Sequence, residues 1–181
     1  SYFKGKKIAI DTSIYLYNFK RTSDNWLREL YRMCIILRHY KIDVLFVYDG
    51  ETRDEKKKTI EIRQQKKEDV WQEIVRLEEE LKKIEDEAER KILENKIKLM
   101  KRGIKGVTRD DLILSKQLLK NCGMNYIESE READDVCAAL CKNNIVYGVM
   151  SNDTDMFAFG CNRILKNLNL TTHQVEFYNL N

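Results

Sequence analysis

Three stretches of the chain share one pattern, a short β-branched or aromatic run that ends in aspartate. They are KKIAID, ending at Asp11, DVLFVYD, ending at Asp49, and IVYGVMSND, ending at Asp153. Continuous apolar runs of this length suit strands buried on both faces, as in a parallel sheet. Helix-period stretches lie between them, notably Trp26 to Tyr40 and Arg109 to Cys122, the latter stopped by Gly123. A short strand, MNYIE, then leads to a helix over about Glu132 to Asn143, its opening set by Ser129. Two late runs, RILKNL and QVEFYNL, read as further strands. The alternation predicts an α/β fold, an open and mostly parallel sheet with helices on both faces.

The middle of the chain follows a different period. From Gln64 to Arg102 there is no Gly or Pro, and nearly every residue is Lys, Arg, Glu or apolar. Val70, Ile74, Leu77, Leu81, Ile84 and Ala88 keep a 3-4 spacing, the seam of an amphipathic helix. The phase is lost near EDEAE and resumes with Ile92, Leu93, Ile97 and Met100. A helical hairpin inserted into the α/β domain fits this pattern best, with RGIKG as the way back. One long helix used for self-association is the alternative. The expected division is a first part over 1–63, a helical insertion over 64–106 and a second part over 107–181.

Composition narrows the picture. The 181 residues suffice for one compact domain with a core. The chain is 43% hydrophobic and 35% charged, and no stretch resembles a transmembrane span or secretory signal. A net charge of +3 conceals 33 basic and 30 acidic residues, so arrangement rather than total decides what the surface binds. Five cysteines with no CxxC pair argue against a disulfide framework or zinc site and for reduced thiols. With only His39 and His173, histidine catalysis has little to work with.

Candidate chemistry therefore falls to the carboxylates. In an open parallel sheet the carboxyl ends of the strands share one edge, and ligands bind there. Asp11, Asp49 and Asp153 should point into that edge, with Asp155 just beyond and Glu132 and Asp134 brought in by EREADD. An aspartate after a strand is most often a cap or turn residue. Three such strand ends plus an ExD and a DxD pair are hard to assign to capping alone. At separations of about 4–6 Å like charges oppose each other's ionisation. Oxygen-rich sites without His or Cys suit Mg²⁺ or Mn²⁺, and two such ions can activate water and stabilise a phosphodiester's leaving oxygen.

Beyond Asp49 comes GETRDEKKKTIEIRQQKK, in which Lys56 and Arg63 are two helical turns apart and share a face if the segment is helical. A solvated basic face is the plain reading from composition. Placed directly after a candidate metal ligand, the two charges could instead hold a scissile phosphate. Lys57, Lys58, Lys66 and Lys67 add to the positive field.

These residues resemble the XPG / flap-endonuclease family of structure-specific 5′ nucleases. SYFKGKKIAIDTSIYLYNF is similar to the family's first catalytic strand and following helix, and VLFVYDG to its second Asp motif. EADDVCAAL resembles its internal motif, and SNDTDMFAFG followed by NRILKNL its DxD motif and next strand. Order and spacing agree over nearly the whole chain. The resemblance implies a PIN/Rossmann-like nuclease core in which Asp11, Asp49, Glu132, Asp134, Asp153 and Asp155 hold two Mg²⁺, with Mn²⁺ as substitute. It places Lys56 and Arg63 as the basic active-site pair at the base of a helical arch formed by the inserted hairpin. Tyr17 falls where the family has an aromatic that stacks on a terminal base; packing in its own core is the equal alternative. Lys57, Lys66 and Lys67 would contact DNA.

The sequence departs from the family in three places. It starts at SYF rather than at a Met-Gly segment. It ends at Asn181, ahead of the helix-hairpin element that grips duplex DNA and of a further metal-site Asp. The connection KRTSDN is much shorter than in flap endonucleases proper, where this region forms the wedge and 3′-flap pocket, so strict double-flap specificity is not expected. The function implied is Mg²⁺-dependent hydrolysis of DNA at 5′ flaps, nicks, gaps or ends, leaving a 5′-phosphate. A monomer is expected, with a possible sliding-clamp partner outside this chain, no membrane association, and an intracellular site of DNA replication or repair in a nucleus or viral factory. The rival readings are a non-catalytic junction-DNA scaffold, a receiver-like signalling domain and an RNA-directed nuclease.

Overall fold

The computed structural model describes residues 2–50 and 57–180, with the side chains of residues 57–63 outside the description. Its elements run β1 (Lys7–Asp11), α1 (Thr12–Thr22), α2 (Trp26–His39), β2 (Asp43–Tyr48), α3 (Lys57–Leu81), α4 (Glu87–Gly103) and α5 (Arg109–Asn121). They continue with β3 (Asn125–Glu128), α6 (Ala133–Lys142), β4 (Gly148–Met150), α7 (Asp155–Ala158), β5 (Arg163–Asn169) and β6 (Gln174–Asn179). The six strands form one sheet in the order β3-β2-β1-β4-β5-β6. Every pairing is parallel except that of β5 with β6. Among the described residues no helix is long and apolar enough to cross a membrane.

Period-two alternation divides the core. Ile8, Ile10, Val44, Phe46, Tyr48, Met150 and Leu165 pack with side chains of α1, α2 and α5 in one cluster. Ala9, Val47, Val149 and Ile164 pack with Ala133, Cys137 and Cys141 of α6 and Met156 of α7 in another. Helices thus cover both faces, as the double-sided apolar runs require. All five cysteines are free and buried.

Local signals set the helix starts. Asn25 caps α2 by accepting from the Arg28 N–H at 3.1 Å. Thr108 and Asp111 form a reciprocal capping box on α5, and the Asp111 carboxylate also pairs with Lys20 of α1. At α6 the outcome differs from the expectation. Glu132 occupies the N-cap position without a side-chain cap bond. Ser129 acts one step earlier, accepting from the Arg131 N–H at 2.9 Å and donating to the Glu132 carbonyl at 3.3 Å.

The charged middle is two helices, not one long one. Its α3–α4 interface buries Ile74, Leu77 and Ile97, with Val70, Leu81, Leu93, Met100 and Ile104 beside them. A Lys101–Glu78 contact of 2.6 Å joins the pair. Three positions of the expected seam do not serve it. Ile84 lies in the turn, Ala88 is exposed, and Ile92 is 70% exposed. The turn between Leu81 and Glu87 resets the helical phase, so an unbroken heptad count drifts off the contact. Arg102 and Lys98 of α4 pair with Asp24 in the α1–α2 connection and tie the hairpin to the body.

Candidate metal centre at the carboxyl edge of the sheet

Strand order fixes where the carboxylates meet. The chain steps outward one way through β1, β2 and β3, then returns to the far side of β1 and continues through β4, β5 and β6. The reversal falls between β1 and β4, and open α/β sheets bind ligands outside the carboxyl ends of strands at such a point. Asp11 ends β1 and is 3% exposed. Buried Ser151 follows β4 and leads to Asp153. On the other side of β1, Asp49 follows β2 directly.

Gly50 joins that side to α6. Its N–H donates to the Arg131 carbonyl at 2.7 Å, and the Ser129 N–H donates to the Tyr48 carbonyl at 2.9 Å. A Cβ on Gly50 would stand 2.1 Å from the Ser129 carbonyl oxygen, so only glycine permits the approach. The approach puts the start of α6 against Asp49, whose Oδ1 accepts from the Ala133 N–H at 2.9 Å. A carboxylate there satisfies an otherwise orphaned helix N–H and opposes the helix dipole. The same helix start carries Glu132 at its N-cap and Asp134 in its first turn.

Asp49, Asp11 and Asp153 have local donors. Ser13 Oγ donates to Asp49 Oδ2. Ser151 Oγ donates to Asp11 Oδ2 at 3.4 Å and accepts from the Asp153 N–H at 3.2 Å. Asp153 Oδ1 in turn accepts from the Asp155 N–H at 2.9 Å.

Burial pushes the Asp11 carboxyl up to about 8, reinforced by a hydrogen bond with Asp134 and by the charges of Asp134 and Asp49. Asp134 is likewise raised, first by burial and then by the charges of Asp153, Asp49 and Glu132, against the lowering effect of its bond with Asp11. Five of the six expected carboxylates therefore feel one another. Among the described residues, however, no three His, Cys, Asp or Glu side chains converge as a ligand set. The oxygens are turned onto N–H and hydroxyl donors, and Asp11 shares its hydrogen bond with Asp134, as mutual repulsion dictates. The donor set fits a hard divalent cation: all oxygen, over-charged, and protonated at the position a cation would relieve.

The remaining candidates are placed as follows. Asp155 opens α7 and is exposed. Tyr17 on α1 is 46% exposed and so is not a core residue. Lys66 and Lys67 are exposed on α3, with Lys67 Nζ close to Gly106. Lys57, Lys58 and Arg63 belong to α3, but their side chains, and the whole of Lys56, lie outside the described residues. Sequence reasoning missed Ser13, Ser151 and Gly50 as parts of the site. The readable signal was a hydroxyl beside two of the aspartates, in DTS and SND, and a glycine directly after the third.

An open α/β sheet with an acidic switch point and an inserted helical hairpin defines a class, and comparison with known proteins supplies the family. Residues 1–70 match the XPG N-terminal domain and residues 123–181 the XPG I-region. The chain belongs to the XPG / flap-endonuclease family. It is 34% identical to flap endonuclease 1-A of Sorghum bicolor over 183 residues, covering 93% of this chain and 45% of that protein. The catalytic core of Rad2 in complex with DNA substrate superposes with a TM-score of 0.66 at 27% identity, covering 98% of this chain and 48% of that one. GEN1, a Holliday junction-resolving enzyme solved with product DNA, Mg²⁺ and Mn²⁺, shares the fold at a TM-score of 0.60 and 18% identity, covering 97% and 33%. The chain thus spans about half the length of the relatives it matches, or less.

Proposed function

We propose that this chain is the core of a divalent-metal-dependent, structure-specific 5′ nuclease that hydrolyses DNA at flaps, nicks, gaps or ends during replication, repair or recombination. The observation that carries the reading is the Asp11–Asp134 pair at the switch point, under the influence of Asp49, Glu132 and Asp153. A purely structural cluster would gain nothing from burying two carboxyls against each other, since each opposes the other's ionisation. The names of the relatives, flap endonuclease and Rad2 bound to DNA substrate, point to the same chemistry.

Asp11, Asp49, Glu132, Asp134, Asp153 and Asp155 would hold the Mg²⁺, two ions being expected, with Mn²⁺ able to substitute. Bound there, the metal supplies water activation and neutralises charge on the phosphate. Asp11 and Asp134 would hold it as carboxylates, the metal's charge standing in for the proton they share. Ser13 and Ser151 orient the carboxylates of Asp49 and Asp11 through the hydrogen bonds above. Ala133, through its N–H, keeps Asp49 directed at the start of α6. Lys56 and Arg63 steer the scissile phosphate, and the α3–α4 hairpin, the arch expected over 64–106, guides the 5′ strand past Lys57, Lys66 and Lys67. Tyr17, exposed at the surface, is free to stack on a terminal base. A clamp, if one binds, would act through regions outside this chain, and the protein would work as a monomer where DNA is replicated or repaired.

The test uses the full-length protein with Mg²⁺ on labelled 5′-flap, nicked, gapped and blunt duplex DNA, beside Asp153→Asn. Cleavage near the junction that disappears in Asp153→Asn and in EDTA supports the reading. A folded protein that binds junctions but cuts none, with Mn²⁺ also supplied, overturns it in favour of a non-catalytic scaffold.

A further inference from the structure

The edge of the sheet opposite the carboxylates carries the reverse charge. The parallel strands begin there, and backbone bonds draw their leading segments together. The Gly5 N–H donates to the Lys41 carbonyl at 2.8 Å, the Asp43 N–H to the Lys6 carbonyl at 3.1 Å and the Tyr147 N–H to the Lys7 carbonyl at 2.7 Å. Lys142 ends α6, and Arg163 opens β5. The Arg163 guanidinium donates to Asn144 Oδ1 at 2.9 Å, which brings it beside the segment that follows α6. Lys4, Lys6, Lys7, Lys41, Lys142 and Arg163 thus lie along one edge. Across residues 2–7, 40–43, 142–147 and 160–163 the only acidic side chain is that of Asp43.

The fold itself accounts for only part of this charge. Cations near helix C-termini offset the helix dipole, which explains Lys142 and, just beyond α2, Lys41. Lys4, Lys6, Lys7 and Arg163 follow no helix. Among the described residues none of the six pairs with a carboxylate. Lys6 Nζ and the Arg163 guanidinium instead lie against the same ring, that of Tyr147, at 3.7 Å and 4.7 Å from its centre. Lys4, Lys7, Lys41 and Lys142 are exposed. Unpaired like charges held on one edge sum to a positive field that attracts a polyanion.

Extent and shape narrow the choice of polyanion. The cations are spread over the leading ends of β2, β1, β4 and β5, which are successive neighbours in the sheet. At about 4.8 Å between strands they reach across roughly 14 Å. That is close to the major groove of duplex DNA, about 12 Å wide and walled by phosphate backbone on both sides. A cavity of about 200 Å³ beside Lys41 is below the usual size of a ligand pocket, so the edge offers charge rather than an anchor for a small molecule or a peptide side chain. Sequence-independent binding of nucleic acid requires little more than such a surface. We propose that this edge is a second nucleic-acid contact, holding the backbone of a duplex segment separate from the one at the carboxylate edge. The choice of DNA as the polyanion rests on the nuclease reading above. A remote arm of the same branched molecule, bound there, would keep the enzyme on its substrate without touching the reacting strand.

The full-length protein tests this in Ca²⁺, as a preformed one-to-one complex with unlabelled, short-armed 5′-flap DNA. A short labelled blunt duplex is added, and its binding is followed by fluorescence anisotropy at a series of KCl concentrations. The variant is Lys4→Gln/Lys7→Gln/Lys41→Gln/Lys142→Gln, with melting temperature as the folding control. The four side chains are exposed and pair with no carboxylate among the described residues, so melting temperature, affinity for the short flap and its cleavage in Mg²⁺ should be unchanged. The wild-type complex should bind the duplex, with log Kd rising linearly with log salt. Each phosphate contact adds about 0.9 to that slope, so the variant should lose roughly 2–4 of it and bind about tenfold more weakly, or worse, at low salt. A wild-type complex that binds no duplex, or a folded variant that binds it with the wild-type slope, overturns the second contact. Capture of polyglutamate in preference to the duplex overturns it in favour of an acidic protein partner. Cleavage of the flap in Mg²⁺ reports separately on the nuclease reading, which does not depend on this edge.

Discussion

Asp11 at the end of β1 and Asp134 in the first turn of α6 share a hydrogen bond between two carboxyl groups, across the point where the sheet's strand order reverses. Two carboxyls can be held in this way only if at least one keeps a proton. Burial, first of all, raises Asp11 from 3.8 to about 8. The folded protein thus binds a proton that the unfolded chain releases. Its stabilising effect is complete below about pH 4 and is lost as pH rises through about 8, because the unfolded state binds fewer protons in that window. In EDTA, melting temperature should fall across this range through this pair, and Asp11→Asn should flatten that component. Added Mg²⁺ should raise the melting temperature most at the alkaline end, where no proton must be displaced. Differential scanning fluorimetry at a series of pH values checks all three outcomes. An Asp11→Asn profile that superposes on the wild type removes the assignment.

Gly50 supports the site from the second tier. Because a Cβ would meet the Ser129 carbonyl at 2.1 Å, Gly50→Ala must push the Ser129–Arg131 segment away from β2. The cost should be about 1–3 kcal/mol, as for other overpacked positions, or roughly 2–4 °C in melting temperature for each kcal/mol. The displaced segment also carries the start of α6, and with it the Ala133 N–H bonded to Asp49. Activity measured well below the melting point should therefore fall further than the loss of folded protein explains. A variant that melts early but cleaves normally when folded would make Gly50 a packing residue alone.

Much of this architecture was readable because burial on both faces leaves a strong mark. KKIAID and DVLFVYD became β1 and β2, and the acidic ends emerged where parallel strands require. IVYGVMSND was readable only in part. Its paired core is Gly148–Met150, and Ile145 is 57% exposed after the positive-φ residue Asn144. The hairpin was legible from its period, and the loss of phase near EDEAE marks its turn a few residues late, since Ile84 and Ala88 continue the heptad by count while the chain is already reversing. The antiparallel pairing of β6 is invisible to a pattern that records burial and not direction. The five carboxylates that influence one another could be named as candidates from the sequence, yet no spacing says which two touch. That depends on the register of α6 against β2, fixed by the close approach of Gly50 to Ser129 and by the Ala133 N–H bonded to Asp49.

Asp111 ties the start of α5 to α1. It accepts from the Thr108 N–H and hydroxyl, each at 2.7 Å, and pairs with Lys20 of α1. Burial alone would raise its carboxyl, but Lys20 and Thr108 hold it below the usual carboxylate range. Asp111→Ala leaves a largely buried ammonium and the start of α5 without partners. A loss of roughly 2–4 kcal/mol in urea unfolding is expected, near the range for breaking a buried pair. Thr108→Ala, which removes one cap, should cost about 1 kcal/mol. Equal effects of the two variants would show that Lys20 contributes nothing.

Tyr17 offers the sharpest separation of binding from folding. It projects from α1, one turn beyond the start of the helix that follows Asp11, and nearly half of its surface faces solvent. Alanine is the strongest helix former, and little buried area is lost, so Tyr17→Ala should leave the melting temperature within about 2 °C of the wild type. If Tyr17 stacks on a base, the same change should weaken binding of 5′-flap DNA by about 1–3 kcal/mol, the usual worth of an aromatic–base contact. Tyr17→Phe keeps the stacking face and should restore most of the affinity, whereas a hydrogen bond through the phenol would not be restored. Anisotropy titrations of the three proteins in Ca²⁺ distinguish the cases. Unchanged affinity in Tyr17→Ala would exclude the stacking role, and Lys66 and Lys67 on α3 would then be the next exposed residues to test.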